Sequence, residues 1–175
     1  MKQLQFLIIA LLVLILSSCN LGTGSETEIT ISLLQGQDTV EIHTEWVDAG
    51  AKLYVGDTEY IATTTDTVDT SKLGLYEVVY GYEYAGELYG VTRYVIVVDQ
   101  TSPVITLTPG VDTIQLGDTW EDAGATVTDN SLEELTVTVS GEIDPTTLGT
   151  YKITYTATDS SGNTTEVDRY VDVIE

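Results

Sequence analysis

The chain has 175 residues, with 28 Asp and Glu against 6 Lys and Arg and a formal charge of −22. So acidic a surface repels nucleic acid, whose binding draws on Lys and Arg contacts to phosphate, and it repels anionic lipid headgroups while favouring soluble cations. The single cysteine excludes an intramolecular disulfide.

In chain order, Met1 and Lys2 precede an uninterrupted apolar run from Phe6 to Leu16, followed by Ser17, Ser18 and Cys19. The run is too short for a hydrocarbon core, which takes about 20 helical residues, so 1–18 reads as an export signal that is removed. Leu16-Ser17-Ser18-Cys19 resembles the lipobox of bacterial lipoproteins. That resemblance implies a diacylated Cys19 as the new N-terminus, anchored to the extracytoplasmic face of the bacterial cell membrane. Two or three acyl chains, at about 0.8 kcal/mol per buried methylene, hold such a protein on a membrane essentially permanently. Removing the signal, and Lys2 with it, leaves 28 carboxylates against 5 basic side chains, a charge of −23.

Residues 19–27, from Cys19 through Asn20-Leu21-Gly22-Thr23-Gly24-Ser25-Glu26-Thr27, read as a flexible tether. Beyond it the chain divides into two similar halves. DTVEI at 38–42 corresponds to DTIQL at 112–116, and WVDAGA at 46–51 to WEDAGA at 120–125, both at a spacing of 74. LGLYEVVY at 73–80 corresponds to LGTYKITY at 148–155 at a spacing of 75, and RYVIV at 93–97 to RYVDV at 169–173 at 76. Length changes confined to the gaps between matched blocks point to a duplicated domain, one copy at 28–99 and the other at 103–175. With 14 carboxylates before Pro103 and 14 after it, neither half is a special acidic tail.

Each half is rich in Val, Ile, Thr and Tyr and punctuated by Gly, Asp and Asn, which favours strands. In the second copy, strands are expected at 104–107, 114–116, 125–128, 135–139, 151–157 and 167–174, several of them alternating apolar with polar residues so that one face is buried. Six or seven strands in so short a stretch predict an all-β fold of two tandem immunoglobulin-like antiparallel sandwiches. Tyr76 and Tyr151 each open the penultimate strand, where such domains keep a tyrosine whose hydroxyl bonds back to upstream backbone. Val78 and Ile153 stand where antibody domains place a cysteine, so the core is expected to be apolar and uncrosslinked.

The second copy, PVITL…DTIQLGDTWEDAGATVTDN…VTVSGEIDPTTLGTYKITYTATDSSGNTTEVDRYVDV, resembles the bacterial Ig-like repeat first described in pesticidal crystal proteins. The likeness covers residues 103–174. Residues 28–98 resemble it more loosely, lacking the DSSGN turn and the Asp129-Asn130 pair. The resemblance implies a sandwich used for spacing, adhesion or ligand presentation, with no fixed activity.

The repeated hexapeptide reads as a structural part: Trp46 or Trp120 caps the core, and Gly50 or Gly124 permits a bend into the next strand. A pair of carbohydrate-stacking sites is the functional alternative. The only histidine, His43, is expected in a strand at the surface. No Ser-His-Asp set, nucleophile elbow, phosphate loop or zinc spacing is present, so the chain reads as a non-enzymatic surface module whose partner is a surface protein or glycan. A rival reading is a carbohydrate-binding accessory that uses Tyr82, Tyr84 and Tyr89 near the Ala85-Gly86-Glu87 turn. Against it stands ordinary strand packing, with Tyr80 inward like Tyr155.

A last expectation concerns the join between the halves. In an Ig-like sandwich the loop between the second and third strands and the last hairpin lie at the same end, the end where the chain enters. Asp129, Asn130, Asp159 and Asn163 should therefore meet Asp99 and the linker Gln100-Thr101-Ser102-Pro103. Three carboxylates and two amide oxygens are the hard donors calcium takes. Turn formation through their own backbone is the alternative role for these residues. The first copy carries Val55 and Tyr84 at the positions matching Asp129 and Asp159, with Tyr54 beside them.

Overall fold

Period-two alternation decides the inward face of every long strand. The computed structural model describes residues 27–175; the expected signal peptide, Cys19 and the tether up to residue 26 lie outside the described residues. In the N-terminal half, β1 (Ile29–Leu33), β3 (Ala51–Val55) and β4 (Thr58–Ala62) form one sheet in the order β1-β3-β4. Facing it, β2 (Thr39–Glu41), β5 (Gly74–Tyr84) and β6 (Glu87–Val98) form a second sheet in the order β2-β6-β5. Val78 and Tyr80 of β5 and Val95 and Val97 of β6 meet Ala51 and Ala62 from the other sheet, and this cluster is the core.

The C-terminal half follows the same plan except that its fourth strand joins the sheet of the long hairpin instead of the sheet of the first and third. Strands β7 (Val104–Leu107) and β9 (Ala125–Thr128) pair on one side, while β10 (Thr138–Ser140), β11 (Gly149–Thr158), β12 (Thr164–Ile174) and β8 (Thr113–Gln115) form the other sheet in the order β10-β11-β12-β8. Ile105 packs there against Ile153, Tyr155 and Ala157. The fold is all-β and of the immunoglobulin-like sandwich class. Among the described residues no helix is long and apolar enough to cross a membrane.

Three details differ from the sequence expectation. The sandwiches are not wholly antiparallel, because β2 runs parallel to β6 and β8 parallel to β12. In each half the entering chain pairs first in one sheet and then crosses to the edge of the other, alongside the last strand. The strand expected at 135–139 forms later and shorter, at Thr138–Ser140, since its pairing with β11 begins only at Thr138↔Thr156. His43 is not in a strand: it sits in the turn after β2 with φ 58°.

The hexapeptide question is answered identically in both halves. The Trp46 indole N–H donates to the Gln37 carbonyl at 2.9 Å and that of Trp120 to the Val111 carbonyl at 2.7 Å, with both rings packed on the core. Asp48 Oδ1 accepts the Gly50 N–H at 2.8 Å and also the hydroxyl of buried Tyr80. Asp122 does the same with Gly124 at 2.8 Å and with Tyr155. Gly50 and Gly124 stand at φ 80° and 76°, where a Cβ is strained, and this turns the chain into β3 and β9. The hexapeptide is therefore a bend that satisfies the one polar atom of a buried tyrosine.

A second duplicated device was not visible from sequence. Arg93 of β6 and Arg169 of β12 point inward among valines, 2% and 4% exposed. Arg93 Nη1 pairs with Asp38 at 2.6 Å and Nη2 donates to the Leu34 carbonyl. Arg169 Nη1 pairs with Asp112 at 2.9 Å and Nη2 donates to the Thr108 carbonyl. Each guanidinium ties the loop after the first strand to the last strand. The tyrosine corners also form: Tyr76 donates to the Lys72 carbonyl at 3.0 Å and Tyr151 to the Thr147 carbonyl at 2.9 Å.

Candidate functional site at the junction of the halves

Five residues, 99–103, separate β6 from β7, and Pro103 among them is fully buried. Asp99, directly after β6, is 7% exposed, and Asp159, directly after β11, is 6% exposed. With Asp129, which follows β9, they bring one carboxylate oxygen each to within 4.8 Å of one another. The three belong to different strand ends, and only their shared end of the sandwich brings them together. None of them takes part in a salt bridge among the described residues.

Turn chemistry occupies part of this set. Asp129 Oδ1 accepts the Ser131 N–H at 2.8 Å and its hydroxyl at 2.6 Å. Asp159 Oδ1 accepts the Asn163 N–H at 2.8 Å, and its Oδ2 accepts Asn163 Nδ2 at 2.7 Å. Asn163 Nδ2 also donates to the Asp99 carbonyl at 3.2 Å. Asn163 thus faces the cluster with its donor nitrogen and positions the carboxylates. Asp129 Oδ2 and Asn130 Oδ1 are buried and accept nothing.

Glu41, at the end of β2, completes the junction and was not singled out from sequence. Its Oε1 accepts the N–H of Gln100 at 2.9 Å, the N–H and hydroxyl of Thr101 at 3.2 and 2.8 Å, and Asn130 Nδ2 at 3.1 Å. Ser161 Oγ donates to Asp99 Oδ2 at 3.3 Å, and His43 Nε2 to the Ser131 carbonyl at 3.3 Å. The signal that could have found Glu41 is a charge difference between the copies, since the matching residue of the second copy is Gln115.

The carboxylates feel this setting differently. Burial pushes the Asp99 carboxyl up, and Asp129, Asp159 and Glu41 push the same way, outweighing the Thr101 N–H that pulls it down. Burial also works against Glu41, but the Gln100, Thr101 and Asn130 donors hold it below its ordinary range. Asp159 is likewise lowered, burial being overcome by the Asn163 side chain and by the N–H groups of Asn163, Gly162 and Ser161.

The tyrosines collect at the far end of the first half. Tyr82 and Tyr89 are cross-strand partners, and the Tyr60 ring of β4 lies 5.2 Å from that of Tyr82 and 5.6 Å from that of Tyr84. These rings close the gap between the two sheets, and Tyr82 packs against the core. Tyr80, Tyr82 and Tyr84 share one face of β5, where Tyr80 is buried, as ordinary strand packing has it, and Tyr82 and Tyr84 are partly buried.

Residues 108–173 match the model of a family described as bacterial surface protein, Ig-like domain. The matched description is one of surface proteins rather than of pesticidal crystal proteins, and residues 28–98 lie outside the match. A search of curated proteins finds no match. The matched part is thus similar to an Ig-like module of bacterial surface proteins.

Proposed function

We propose that the protein is a lipid-anchored, non-enzymatic module of the bacterial cell surface, in which two tandem Ig-like sandwiches docked end to end act as a stiff unit. That unit holds a binding or adhesive face away from the membrane. The observation that carries this reading is the junction. Glu41 of the first half, the linker at Gln100 and Thr101, and Asn130 of the second half share one carboxylate oxygen. Two domains joined by a flexible tether would have no such shared acceptor, and their relative motion would be the default.

The lipid anchor is supported by Leu16-Ser17-Ser18-Cys19 and by the lone cysteine, which has no other evident use in an exported chain. A surface protein or glycan remains the partner class, and the net charge disfavours nucleic acid.

Two measurements test the reading. A Cys19→Ala variant should be released from the membrane fraction, and continued retention would sink the anchor. Small-angle scattering of the full chain in detergent should show one extended rigid pair, and Glu41→Ala should broaden its distance distribution. A parent that already behaves as two freely moving bodies would sink the stiff unit.

A further inference from the structure

The three junction carboxylates converge without a cationic partner, and two of them belong to residues more than nine-tenths buried. Like charges so placed repel one another, and burial strengthens that repulsion because water no longer screens it. Five of the described basic side chains form salt bridges, every one of them elsewhere. Convergence alone could be turn chemistry, since Asp129 Oδ1 and both oxygens of Asp159 are engaged in their own loops.

Two further atoms point to a ligand. Asp129 Oδ2 and Asn130 Oδ1 are wholly buried acceptors to which nothing donates. Asn130 is no carboxylate, and its amide is fixed with the oxygen free because Nδ2 is taken by Glu41. Buried acceptors in native proteins are paired with few exceptions, and an exception calls for a bound water or ion. A water could donate to two oxygens here, but it would leave the charge of three carboxylates uncompensated.

We propose that this junction is a calcium site, with Asp99, Asp129 and Asp159 as carboxylate ligands and the Asn130 side-chain oxygen as a neutral one. Water completes the shell. The donors are all oxygen, which excludes the soft and imidazole-seeking metals. They come from loop positions at three strand ends, which suits the irregular six to eight ligands of calcium better than the strict octahedron of magnesium. Asn163 and Ser131 are positioning residues, the first bonded to Asp159 and to the Asp99 carbonyl, the second to Asp129.

The arrangement makes the ion a lock between the halves. Asp99 is the only ligand from the first half, while Asp129, Asn130 and Asp159 all belong to the second. The first half has Val55 and Tyr84 at the positions of Asp129 and Asp159, so the site occurs once, at the join. This inference rests on the docked pair proposed above.

The test uses the full chain in detergent, stripped with EDTA and titrated with calcium chloride by calorimetry, with melting and scattering read in parallel. Calcium should bind at one site and raise the melting temperature, because it binds only the folded form. Asp129→Asn and Asp159→Asn should each weaken binding at least tenfold, and Asp99→Asn should do the same while loosening the pair in scattering. Three outcomes would overturn the proposal: no heat at millimolar calcium, an equal response to magnesium, or affinity unchanged in Asp99→Asn, which would confine the ion to the second half. If calcium produces no heat while the EDTA-treated chain still scatters as one rigid body, the site falls and the docked pair stands. Two freely moving bodies in the presence of calcium would overturn both.

Discussion

Gly110 lies so close to Arg169 that a Cβ built on it would stand 2.7 Å from the guanidinium Nη1 and 2.7 Å from the Cβ of Ala123. Gly36 stands in the same relation to Arg93 and Ala49, at 3.0 and 2.6 Å. Neither glycine has a positive φ, so the constraint is one of space. Gly110→Ala should push Nη1 of the guanidinium off Asp112 and cost about 1–3 kcal/mol, in the range of overpacked sites. Denaturant unfolding checks this, and Gly36→Ala should repeat the loss. An unchanged midpoint in both would mean that the arginines adjust freely.

The arginines themselves make a second prediction. Arg169 has a side chain 3% exposed, while its partner Asp112 is 56% exposed. Asp112→Asn leaves a buried guanidinium without a counter-charge, which is costly; solvent around Asp112 screens part of the pair. The expected loss is about 1–2 kcal/mol, below that of a fully buried pair. Arg169→Met fills the same space without the charge and should recover part of it when combined with Asp112→Asn. If the double variant is as unstable as the sum of the singles, the two residues are not coupled.

Most of the fold was legible because period-two alternation reports which face is buried, and β7 and β9 begin and end where the pattern says. The parallel pairings β2–β6 and β8–β12 were not legible, since three-residue strands carry no alternation that reveals a partner. Arg93 and Arg169 break the apolar pattern of β6 and β12, so their burial could not be read without the carboxylates and carbonyls that receive them. At the junction, Asp99, Asp129 and Asp159 could be brought together from topology alone, because loop ends follow from strand order. Glu41 and His43 could not, since their place depends on how one sandwich docks on the next.

The rings at the far end of the first half make a third prediction. Tyr82 packs against the core and against Tyr60, so its removal opens the gap between the sheets. Tyr82→Ala should cost about 1–3 kcal/mol, less than a fully buried aromatic because the ring is only partly buried. Tyr89→Ala, on the neighbouring strand, should cost less. If Tyr82→Ala leaves the melting temperature unchanged but abolishes retention on immobilised cell-wall glycan, the ring serves binding rather than packing.

Alkaline titration makes the last. Tyr80 is 1% exposed, and its hydroxyl donates to Asp48. Burial, reinforced by that carboxylate, disfavours the phenolate and raises the hydroxyl from its ordinary 10.0 to about 12. Tyr155, bonded to Asp122, is raised for the same reasons, burial first. In the unfolded chain both hydroxyls ionise near their ordinary value. Between that value and the folded one the native state binds more protons than the unfolded state, so stability falls as pH rises. The contribution is fully present below pH of about 10 and is lost as pH passes through about 12; for Tyr80 it amounts to roughly 2–3 kcal/mol. Unfolding followed from pH 9 to 12 should steepen across that window, and Tyr80→Phe should flatten the slope while lowering stability at pH 7. A slope unchanged in both Tyr80→Phe and Tyr155→Phe would mean that other groups govern alkaline unfolding.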